Sequence, residues 1–174
     1  MKKKYPQIVP GEKRLKLLTA RIVFFVLGRA FQSGSIHDPD IRKEIEVWPE
    51  GFILVLSILP KGPRMVLEKT GKRLIFRGEK PHGGNLVINF KNIESAFLVL
   101  TPQMGPSQAF AERRMTVEGS LGNAMVFTRC LNIILAYLYP RFLSRKLLKR
   151  VPEMPFQKQT RRLFIYVLGI PLNL

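Results

Sequence analysis

Residues 97–125 read FLVLTPQMGPSQAFAERRMTVEGSLGNAM. An apolar helical run ends at the break Pro102-Gln103-Met104-Gly105-Pro106, and a short amphipathic piece, Ser107 to Arg113, follows. Met115-Thr116-Val117-Glu118 then alternates apolar and polar residues. In a strand this places Met115 and Val117 on one face and Thr116 and Glu118 on the other. Gly119 and Gly122 punctuate the exit into a long apolar helix. The unit is helix, turn, strand, helix.

This stretch resembles the C-terminal half of the sterol carrier protein type 2 domain. That family carries a Met-x-Pro-x-x-Ala-Phe approach, a short strand and then Gly-x-x-Gly-x-Ala-Met. Met104, Pro106, Ala109, Phe110, Gly119, Gly122, Ala124 and Met125 match without a gap. The match is close over about 30 residues and extends more loosely over residues 38–139. One departure stands out. The family usually has Gly-Lys entering the strand, whereas this chain has Arg113-Arg114. A double Arg there is similar to the lipid-binding accessory proteins of bacterial ubiquinone biosynthesis, which carry the same domain.

The 174 residues suffice for one domain with a real core and extensions, and 46% apolar content argues against disorder. Lys and Arg number 29 against 12 Asp and Glu, a net charge of +17. Such a field attracts polyanions, either nucleic acid or an anionic membrane face. Single-strand nucleic-acid readers interleave exposed aromatics with Lys and Arg. Here the aromatics sit inside apolar runs such as Ile22–Leu27 and Leu163–Leu168, flanked by cations. That pattern favours a membrane interface over nucleic acid. The single cysteine, Cys130, excludes an internal disulfide framework and a Cys-based zinc site, and reads as a small core residue.

No apolar stretch of signal-peptide type follows Lys2-Lys3-Lys4. The longest tail run, Leu163 to Leu174, would make a helix of about 18 Å against a hydrocarbon core of about 30 Å. The expectation is therefore no membrane-spanning helix, and a cytoplasmic protein in peripheral contact with a membrane.

Residues 1–12 read as a basic arm. The spacing predicts a helix over 13–32, with Leu15, Leu18, Ile22, Phe25 and Val26 on one face. That helix suits either docking on the core or lying on anionic lipid. Gln32 to Pro39, with Ser-Gly-Ser, reads as a linker. Asp38 caps a short helix with Pro39 at its first position. Strands follow at 52–59, 64–68, 72–77 and 86–90, the middle two as a hairpin. Asn92 caps a helix to about Leu100, and the long apolar helix covers 123–139. Basic and apolar helices are expected at 141–151 and 160–169. The chain thus divides into a basic N-terminal arm and helix (1–37), a lipid-binding domain (38–139) and a helical C-terminal extension (140–174).

Chemistry is sparse. His37 and His82 have no ligand-spaced partners, so neither a metal nor a cofactor is expected. His82-Gly83-Gly84 lacks the Gly-x-Ser-x-Gly elbow of esterases, and Glu68-Lys69-Thr70-Gly71-Lys72 lacks the upstream glycine of a phosphate loop. No catalytic residues are assigned, and no enzyme activity is expected.

The resemblance implies an α+β fold, a five-stranded sheet with helices packed on one face, enclosing a hydrophobic tunnel. It implies binding of a sterol, fatty acyl or isoprenoid-type lipid without a catalytic step. Ala96, Leu100, Met104 and Phe110 lie near the expected helix–turn–helix gap, and Leu121, Met125, Leu131, Ile134 and Leu135 lie on the long helix. These nine are the candidate lining, although apolar helix residues also serve as plain core. Arg141, Arg145, Lys146, Lys149, Arg150, Arg161 and Arg162 are the candidate membrane contacts. From residue 120 onward Glu153 is the only acid, against nine Lys and Arg. Three functions follow in order. They are a lipid carrier on an anionic membrane, a lipid-presenting accessory subunit for quinone or isoprenoid biosynthetic enzymes, and a nucleic-acid-binding protein that reuses the fold.

Overall fold

Why the chain turns where it does is plainest at Asp38. Its buried carboxylate accepts a hydrogen bond from Asp40 N at 2.8 Å, which caps helix α2 (Pro39–Ile45) with Pro39 in its first turn. The same carboxylate accepts from the Tyr137 hydroxyl, so the cap is also a tertiary tie. A second predicted cap forms too: Asn92 Oδ1 accepts from Ser95 N at 2.8 Å and starts helix α3 (Ile93–Leu100).

The computed structural model describes residues 14–79, 83–100 and 103–138. The expected arm, the tail helices at 141–151 and 160–169, and all seven candidate membrane contacts from Arg141 to Arg162 lie outside the described residues. Five strands, β1 (Ile53–Ile58), β2 (Arg64–Thr70), β3 (Arg73–Gly78), β4 (Leu86–Phe90) and β5 (Met115–Gly119), form one mixed sheet in the order β3-β2-β1-β4-β5. β1 and β4 run parallel, with Leu54 opposite Leu86, and the other pairs are antiparallel. The α+β class and five-stranded sheet are as expected from the sequence.

Alternation assigns the two faces of the sheet. Leu54, Leu56 and Ile58, Met65 and Leu67, and Ile88 and Phe90 point into one core with the helices. The opposite face is mixed, with buried Val55 and Val66 beside polar groups. Arg77 pairs with Glu68 at 2.7 Å there, and Ser57 donates to Asn89, which donates to Glu118 at 2.8 Å.

Helix α1 (Arg14–His37) runs through the expected linker, and the reason is tertiary. Ser33, Gly34 and Ser35 are buried. Ser35 Oγ accepts from Leu74 N at 2.9 Å, and Gln32 Oε1 accepts from Phe76 N at 3.0 Å. These side chains satisfy backbone donors of the edge strand β3 that a loop would leave exposed. Close approach is needed here. A Cβ on Gly28 would sit 2.5 Å from the Phe76 ring. Residues 14–37 thus belong to the common core instead of extending from it.

The face of α1 that packs on the core is not the Leu15 stripe. Ala20, Phe24, Leu27, Ala30 and Phe31 are buried, and Phe31 stacks on Phe127. Leu15, Leu18, Ile22 and Phe25 remain exposed, Leu15 by 82%. The helix carries two apolar stripes, and of the two roles that the sequence left open for the Leu15 stripe, docking on the core is not the one it takes.

Helix α4 (Pro106–Ala111) leads through Arg113, which has a positive φ of 56°, into β5. Helix α5 (Leu121–Leu138) closes the core with eight buried residues, among them Phe127, Cys130, Leu131 and Ile134. By length and composition alone α5 is apolar enough to cross a bilayer, contrary to the expectation that no segment qualifies. Here its inner stripe is occupied by sheet and helix contacts.

Candidate functional site

The matched motif does two jobs at one place. Gly119 has a φ of +118°, and a Cβ there would lie 2.5 Å from Asn85 O, so only glycine ends β5 in this way. That turn brings the start of α5 back over β5. On the other side, Pro106 opens α4 and Ala109 is completely buried against the core. The two helices are held apart above the sheet edge, and a hollow remains between them.

The hollow has a volume of about 360 Å³. Its floor is Ile88 of β4 with Met115 and Val117 of β5. One wall is Pro106, Ser107 and Phe110 of α4; the other is the outer half of α5, from Leu121 through Ala124, Met125 and Thr128 to Arg129. Met115 and Val117 share a face, as the alternation required. At the mouth stand three exposed apolar side chains, Phe110 at 46%, Leu121 at 63% and Met125 at 56%. Large apolar groups gathered round a hollow are uncommon on a soluble surface, where such a patch marks an interaction site.

Polar atoms at the rim are few and mostly committed. Thr128 Oγ1 donates to Ala124 O at 2.8 Å within the helix. Arg129 Nε donates to Glu44 Oε2 at 2.8 Å, which ties α5 to α2 while leaving half of the Arg129 side chain exposed. Below α4, Arg114 Nε and Gln108 Nε2 donate to Glu112 at 2.7 and 2.8 Å and hold its carboxyl below the usual range. Among the described residues, no three His, Cys, Asp or Glu side chains gather to hold a metal ion.

A smaller void of about 20 Å³ lies deeper, and Ile88, Pro106, Met115 and Thr128 line both spaces. Of the nine candidate lining residues, Phe110, Leu121 and Met125 line the outer hollow, and Leu100, Leu131 and Leu135 line the inner void. Ala96 and Ile134 are fully buried in the solid core, and Met104 packs against that core. These three do not line either space. The expected tunnel between sheet and helices is therefore mostly filled, and the room is displaced toward the β5 edge. Sequence reasoning missed Ile88, Pro106, Ser107, Met115, Val117, Ala124, Thr128 and Arg129. Pro106 and Ala124 stood within the motif, and the i, i+3, i+4, i+7 spacing of Leu121, Ala124, Met125 and Thr128 was a legible signal.

No family model matches the chain, and no curated protein matches it in sequence. Solved structures do. One is a ubiquinone synthesis protein described as UbiJ-SCP2, 13% identical, covering 69% of this chain and 98% of its own, with a TM-score of 0.45. A conserved hypothetical protein of Thermus thermophilus, described as possibly a sterol carrier protein, is 18% identical over 73% of this chain and 89% of its own, at 0.46. Domain 2 of the sterol carrier protein of Helicoverpa armigera is 12% identical over 73% and 94%, at 0.42. The chain is similar to sterol-carrier-type domains.

Proposed function

We propose that this chain is a non-catalytic lipid-binding domain that takes one apolar tail into the hollow beneath α4 and α5 and works at an anionic membrane surface. The observation that carries this is the hollow itself, about 360 Å³ with apolar walls and an exposed apolar mouth. A dry cavity of about 150 Å³ accommodates benzene, so about 25 Å³ serves each carbon and this hollow has room for about 14 carbons. A single acyl or isoprenoid tail fits. A whole sterol has about twice as many carbons and would have to protrude.

The energetics suit exchange over storage. Burying a CH₂ is worth about 0.8 kcal/mol against water, so 14 carbons gain roughly 11 kcal/mol gross. A bilayer offers about the same. The difference between pocket and membrane is small, and passage through water is the slow step. Docking on the membrane removes that step.

Two features support docking. The net charge of +17 draws the protein to anionic headgroups, with each Lys or Arg near the surface contributing on the order of 1 kcal/mol. Leu15, Leu18, Ile22 and Phe25 form an exposed apolar stripe on α1, next to the basic arm of the sequence. An apolar stripe flanked by cations is the composition of an interfacial helix. The test is co-sedimentation with liposomes, with and without anionic lipid, at low and high salt. Binding should need anionic lipid and weaken with salt, whereas equal binding to neutral vesicles refutes the docking scheme. Mass spectrometry of lipids carried through purification tests the pocket: a single-tailed lipid is expected, and none under native conditions counts against it.

A further inference from the structure

We infer that Met115 is the stop that sets the length of tail the hollow accepts. This rests on the lipid-binding function proposed above and adds a specificity determinant to it. The outer hollow and the inner void share four lining residues, Ile88, Pro106, Met115 and Thr128, so these side chains form the waist between them.

Three of the four are fixed by their chemistry. Ile88 is β-branched, with a stiff first torsion, and lies in β4 between β1 and β5. Pro106 is a ring held in the first turn of α4. Thr128 is held by its hydrogen bond to Ala124 O. Met115 is unbranched and turns about three side-chain bonds, which lets it fill the irregular waist. It is only 9% exposed at the start of β5.

Behind the waist the void is apolar. Leu56 and Phe90 of the sheet and Leu100, Phe127 and Leu131 of the helices line it. At about 20 Å³ it holds less than one carbon, so a tail gains room there only when the Met115 side chain is shortened. With Met115 across the waist, a tail stops at the roughly 14 carbons of the outer hollow. Removing the Met115 side chain beyond Cβ frees three heavy atoms, about 75 Å³, and joins the inner void to the hollow. The combined gain is room for about four carbons.

The experiment is displacement of a bound fluorescent fatty acid by straight-chain fatty acids from about 8 to about 20 carbons, a range that brackets this capacity. In the unaltered chain, affinity should rise with each carbon and level off near 14. In Met115→Ala the rise should continue for about four carbons more. Met115→Val keeps a strand-favouring residue and shortens the reach into the waist, so it should extend the rise by about two. Phe110→Ala, at the mouth, should weaken all chain lengths and leave the break where it was. A folded Met115 variant with an unmoved break overturns the inference while leaving the lipid-binding function intact. Failure of every chain length to bind the unaltered protein overturns that function instead.

Discussion

Replacing Ala124 by Phe tests whether the hollow binds anything. Ala124 lies on α5, is 7% exposed, and lines the space between α4 and β5. The substitution adds a phenyl ring, which takes up about 150 Å³, some two-fifths of the hollow. Room for about 14 carbons becomes room for about eight. At about 0.8 kcal/mol per CH₂, excluding six carbons costs up to about 5 kcal/mol of binding, roughly three orders of magnitude in affinity. The added ring fills space that is already empty, so folding stability should stay level or rise. Displacement of a fluorescent fatty acid by a 14-carbon chain measures the first effect, and thermal melting by circular dichroism measures the second. Ile134→Ala is the contrast. It empties solid core away from the hollow and should lose about 2–5 kcal/mol of stability with little change in affinity. If Ala124→Phe folds normally and binds as tightly as the parent, the hollow is not the site and the reasoning is refuted.

Four further outcomes are expected. Tyr137→Phe leaves one buried oxygen of Asp38 without its hydroxyl donor and should cost about 1–3 kcal/mol in urea unfolding; no loss would show that water replaces the hydroxyl. Gly28→Ala gains about 1 kcal/mol of helix propensity but drives a methyl into the Phe76 ring, so a net loss of about 1 kcal/mol is expected in the same assay. Arg113→Gly relieves a left-handed backbone that costs a non-glycine residue about 1–2 kcal/mol, offset in part by added freedom in the unfolded chain, so a gain below about 1 kcal/mol should appear as a small rise in melting temperature. Burial pushes the Cys130 thiol up to about 12, with the nearby Glu44 carboxylate adding to the rise. Above pH 9 the unfolded chain then loses the thiol proton while the folded chain keeps it, so this group's contribution to stability falls as pH rises from about 9 to about 12. Cys130→Ala should show a flatter alkaline limb in pH-dependent unfolding, and a thiol reagent at neutral pH should modify the parent only as fast as it opens.

Local chemistry made much of the fold legible. Asp38-Pro39 and Asn92 announce helix starts because each offers a side-chain oxygen to orphan backbone donors. Leu86–Phe90 and Met115–Glu118 alternate because one side of the sheet faces the core and the other is less buried. Ser33-Gly34-Ser35 misled for the opposite reason. Their helical state is maintained by burial and by the bonds from Leu74 N to Ser35 and from Phe76 N to the adjoining Gln32, partners about 40 residues away that no local window contains. The role of the α1 stripe stayed open for a similar reason, since two apolar faces compete and only packing against β3 and β2 chooses between them.

The hollow shows the same division. The Met-Pro-Ala-Phe and Gly-Gly-Ala-Met residues border the hollow because a glycine at +118° and a proline opening a helix impose local backbone geometry. Which side chains face empty space is a matter of volumes contributed from several elements. Ala96 and Ile134 are as apolar as Phe110 and Leu121, yet the first pair meets neighbours on every side and the second pair stands at an opening. Polarity and periodicity are written along the chain. Unfilled volume exists only after distant segments have packed, so the tertiary structure alone set where the room lies and how much of it there is.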